Sequence, residues 1–151
     1  MLLGLATKAQ KGLISAGLDM PIFEWEIEFG AFAGKPDLVE TEFAKAMVAG
    51  TYPGMIISAT QRQAAWLHKS ALAVADGTPL STLLDSGFPR LHFSRKGNVE
   101  TALRNFSAAR LLLIIEQLAA AALETRKQAP LAAAIAQRTL LSIAANAKRR
   151  G

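Results

Sequence analysis

Apolar positions along this chain fall into helical stripes punctuated by glycine and proline. In PIFEWEIEFGAF, residues 21–32, Phe23, Trp25, Ile27 and Phe29 alternate with polar residues as a half-buried strand does. The same run carries Ile22, Trp25, Phe29 and Phe32 at i, i+3, i+7 and i+10, one face of a helix. No second convincing strand is present to pair with it, and an isolated strand leaves its backbone groups unmatched. The run is therefore read as a helix. Beyond Gly34-Lys35-Pro36, Asp37 is placed to cap a helix to about Ala49 with Leu38, Val39, Phe43, Ala46 and Met47 inward and Gly50 as its stop. Thr51-Tyr52-Pro53 opens a longer helix ending near Asp76-Gly77. Its expected inward residues are Met55, Ile56, Ala59, Ala65 or Trp66, Leu67 and Leu72.

Thr78-Pro79 has the form of a cap followed by Pro at the first helical position, which predicts a short helix stopped by Gly87. An extended PRLHF segment comes next, then a short helix to about Asn105, with Leu103 and Phe106 at a core-like spacing. Ser107 is a good N-cap for a helix from Ala108 to about Lys127. That helix is apolar on nearly every side from Leu111 to Ile115, so it is expected to be the central, most buried one. Pro130 predicts the start of the last helix, with Leu131, Ile135, Leu140 or Leu141, Ile143 and Ala147 on the core. Lys148, Arg149 and Arg150 close it against the helix dipole. The pattern predicts an all-α fold, a single bundle of six to seven helices over residues 22–151 after a loose lead-in at 1–21.

Composition agrees with helix. The 151 residues suit one domain, and Ala and Leu dominate an apolar share of 51%. With no Cys, disulfides, thiolate nucleophiles and zinc–thiolate sites are excluded. The opening MLLGLATKAQKG lacks the basic n-region of a signal peptide. The apolar block Leu111 to Leu123 is broken by Glu116-Gln117 and falls short of the roughly 20 residues a membrane span needs. A soluble, cytoplasmic protein without membrane contact is expected.

Charge is unevenly spread. From residue 90 onward there are 11 Lys/Arg and 3 Glu, a balance of +8, against 6 Lys/Arg and 9 Asp/Glu before it, a balance of −3. Such asymmetry suits a polyanion, an acidic protein partner or simply a solvated face. The basic residues Arg90, Arg95, Lys96 and Arg104 raise a nucleic-acid reading, since cations supply phosphate affinity and exposed aromatics stack on bases.

No catalytic constellation stands up. Gly4, Gly12 and AGKP at 33–36 lack the spacing of a phosphate loop. His68 and His92 have Ala65 and Pro89 three residues before them, so neither forms the Glu-x-x-His pair of a di-metal bundle. The clusters Glu24-Glu26-Glu28 and Glu40-Glu42 are expected to be solvated carboxylates rather than an acid–base pair. No cofactor, metal or enzymatic activity is expected.

The order Pro89, Leu91, Phe93, Arg95-Lys96, Leu103 and Phe106-Ser107, followed by a Leu-rich helix, resembles the C-terminal domain of the delta subunit of bacterial DNA polymerase III. FEWEIEFGAFAG, Phe23 to Gly34, is similar to the helix that begins that domain. EFAKAMVAGTYPGMIISATQRQAAWLHK, Glu42 to Lys69, is similar to the next pair, joined by a turn at Gly50, Thr51 and Pro53. Lys127 falls where the family has a Lys, and Leu140-Leu141-x-Ile143 is similar to its ending. Gly97 and Asn98 depart from the pattern, interrupting a helix the family keeps regular.

The resemblance covers roughly Ile22 to Arg150. It implies a helical collar domain that joins delta to the other clamp-loader subunits, gamma or tau and delta-prime, in a pentameric ring. The family's two ATPase-like N-terminal domains, one of which binds the sliding clamp, are absent from this chain, so Met1 is not expected to begin the whole protein. DNA contact is then weak or indirect. Phe93, Leu103 and Phe106 are expected to be buried, with Arg126, Lys127 and Arg138 on the rim of a subunit interface. The alternative is an independent basic helical protein that binds nucleic acid through Arg90, Arg95, Lys96 and the 148–150 tail.

Overall fold

A computed structural model describes residues 22–86 and 93–147, and every regular element in them is helical. In chain order these are α1 (Ile22–Phe32), α2 (Pro36–Val48), α3 (Pro53–Ala75), α4 (Leu80–Ser86), α5 (Phe93–Asn105) and α6 (Ala108–Lys127). A 3-10 turn (Ala129–Leu131) then leads into α7 (Ala132–Asn146). The lead-in at 1–21, the segment 87–92 with Pro89, Arg90, Leu91 and His92, and the tail at 148–151 lie outside the described residues, as do the side chains of Trp25, Phe93, Arg95 and Lys96. The described residues form an all-α bundle.

Three glycines end helices in the same way. Gly34, Gly50 and Gly77 have φ of 76°, 87° and 104°, the left-handed region that an L side chain enters only with strain. At each, the glycine N–H and the N–H that follows bond back to the last turn. After α2, for example, Gly50 N–H donates to Met47 O at 3.1 Å and Thr51 N–H to Ala46 O at 3.0 Å. Two helix starts use Pro at the first turn, at Pro36 and Pro53, where the missing N–H costs nothing. Asp37 sits in the first turn of α2 but makes no side-chain cap, because Pro36 already starts the helix and Lys35 holds the cap position.

Helix α1 occupies the middle of the bundle, touching α2, α3, α5 and α7, and every residue from Ile27 to Ala33 is buried. This corrects the expectation that the Ala108–Lys127 helix is central. Helix α6 packs on α3 and α7 along the stripe Leu111, Ile114, Leu118, Ala121 and Thr125, and its other sides are open. Glu28 is a second correction: instead of joining a solvated cluster it is fully buried in α1.

Several inward assignments also change. In α3, Ile56, Ala59 and Leu67 are buried and Trp66 packs against the core, whereas Met55, Ala65 and Leu72 face out and Ile57, Gln63 and Ala64 take their places. Leu131 is exposed because the 3-10 turn precedes α7, so the core face begins at Ala132 and Ile135. In α7 the buried member of the Leu140/Leu141 pair is Leu140. Helix α5 already includes Phe93 and runs unbroken through Gly97 and Asn98, where the Thr101 hydroxyl bonds to Gly97 O at 2.9 Å.

Three buried hydroxyls in the α3–α6–α7 layer are served locally. The hydroxyls of Thr60, Thr125 and Thr139 donate to Ile56 O, Ala122 O and Ile135 O at 2.7, 2.7 and 2.8 Å. Each hydroxyl is thus satisfied within its own helix and needs no partner from a neighbouring one.

Candidate interaction surface

The joint at Asn105–Arg110 fixes how α6 stands on the rest of the molecule. Helix α6 leaves the Gly97–Asn105 stretch of α5 at 98°. At the corner the Phe106 ring is buried edge-on to Phe32, with centroids 5.9 Å apart and planes at 85°. The Ser107 hydroxyl accepts from the Arg110 N–H at 3.2 Å and caps α6. Arg110 lies over the Phe106 ring at 5.1 Å and donates through Nη2 to Asn146 O at 2.9 Å, satisfying a carbonyl at the end of α7. Asn105 Nδ2 donates to Phe32 O at 3.2 Å, tying in the end of α1. One corner therefore clamps the ends of α1, α5 and α7 and aims α6 along the edge of the bundle.

With its inner stripe spent on α3 and α7, α6 shows solvent an apolar ridge. Leu112, Leu113 and Leu123 are 48%, 64% and 45% exposed, with Ala119 and Ala120 between them and Glu116 and Lys127 on the same side. Two open grooves flank the second half of this ridge. Toward α7 lies one of about 870 Å³, floored by Leu131, Ile135 and Leu141 and edged by Glu124 and Arg138. Toward the start of α3 lies a smaller one of about 180 Å³, where Tyr52, Met55 and Arg126 meet. Tyr52 and Met55 are themselves about half exposed.

Among the residues expected on a rim, Arg126 and Arg138 therefore sit in separate grooves on opposite sides of α6, and Lys127 ends the ridge between them. All three are exposed, and among the described residues none forms an ion pair. The leucines of the ridge are missed by sequence reasoning, which takes the whole LLLII run inward. Their signal is Glu116 and Lys127, which share a face with Leu112 and Leu123 and mark it as the outward one.

Other candidates stay apart from this surface. Arg104 is held by Glu100 at 3.1 Å and Glu42 by Lys45 at 3.1 Å, both within single helices. Among the described residues no three His, Asp or Glu side chains come together as a metal site would need, and no single helix is long and apolar enough to cross a membrane.

Fold and surface together define a class: an all-helical bundle with a solvent-facing apolar ridge flanked by two grooves, one edged by Arg126 and the other by Glu124 and Arg138. Comparison with protein-family models, curated proteins and solved structures found no match.

Proposed function

We propose that the chain is a non-enzymatic subunit-interaction domain of the collar type, the part of a DNA polymerase III delta subunit that joins it to gamma or tau and delta-prime for sliding-clamp loading. The observation that carries this reading is the exposed ridge of α6. A helix whose inner stripe is buried and whose outer stripe still presents Leu112, Leu113 and Leu123 has an apolar face left for another protein. An apolar centre with a polar rim is the anatomy of a standard protein interface of about 800 Å² per partner. The order of sequence motifs from Phe23 to Ile143 supplies the family. The domain boundary at residue 22 and the cytoplasmic location belong to the same proposal.

Burial-driven association changes little with salt, whereas contact with several phosphates weakens steeply between about 50 and 200 mM salt. The chain is expected to co-elute with the gamma or tau and delta-prime subunits at moderate salt and to bind DNA weakly and only at low salt. Salt-resistant DNA binding without subunit binding would sink the reading and favour an independent nucleic-acid-binding protein.

A further inference from the structure

We draw no further inference here: the strongest candidate, the solvent-facing ridge of Leu112, Leu113 and Leu123 on α6 with the grooves on either side of it, carries none because nothing in the structure shows what covers it.

Discussion

Phe106 touches the Phe32 ring on one side and receives the Arg110 guanidinium on its face, at 1% exposure. Phe106→Ala empties that site with little room for α1 and α6 to close on it, because backbone ends of three helices are tied around it. A loss of about 3–5 kcal/mol is expected in chemical denaturation. Ser107→Ala removes the single side-chain bond to the Arg110 N–H and should cost about 1 kcal/mol in the same assay. Both residues are legible in the sequence, Phe106 from its spacing with Leu103 and Ser107 from its place before an apolar run. Arg110 is not, because its partner at Asn146 arrives from 36 residues away. Glu28 misleads for a related reason: its neighbours Glu24 and Glu26 suggest a wet face, and only the packing of four helices around α1 puts it inside.

Helix boundaries are the most legible feature, since glycine and proline mark them by local geometry alone. Gly34 carries more than a turn. Its φ of 76° is strained for an L residue, and a Cβ there would meet Ala147 Cβ at 3.0 Å, so Gly34→Ala is expected to destabilise by about 1–3 kcal/mol. Gly97 lies inside α5, and a Cβ added there would meet nothing within 4 Å, so Gly97→Ala should instead stabilise by about 0.5–1 kcal/mol. Thermal denaturation of the two variants gives opposite signs if the helix runs unbroken through 97. Burial within α6 is the feature least legible. Leucine content alone does not separate a helix enclosed on all sides from one with a core stripe and a docking stripe. Leu118→Ala, on the inner stripe, should cost about 2–5 kcal/mol, whereas Leu113→Asp on the outer one should leave the stability within about 0.5 kcal/mol of wild type.

Across the molecule, α2, α3, α5 and α7 enclose α1, and α6 closes one edge on α3 and α7, held upright by the corner at Phe106. The all-helical bundle can be read from stripe spacing, but the surface cannot, because it arises where α3, α6 and α7 lie side by side. Charge alone points to Arg126 and Arg138 as rim residues, and the structure gives each a separate groove. The proposed function depends on the outward side of α6 being where another protein docks, and its proposed tie to a clamp loader rests on the order of sequence motifs. The most direct test is calorimetric titration of the gamma or tau and delta-prime subunits into the chain and into its Leu113→Asp/Leu123→Asp double variant at moderate salt. A complex with the wild-type chain is expected, with at least about a hundredfold weaker binding by the double variant at an unchanged denaturation midpoint. Equal binding by both chains, or binding by neither, would contradict it.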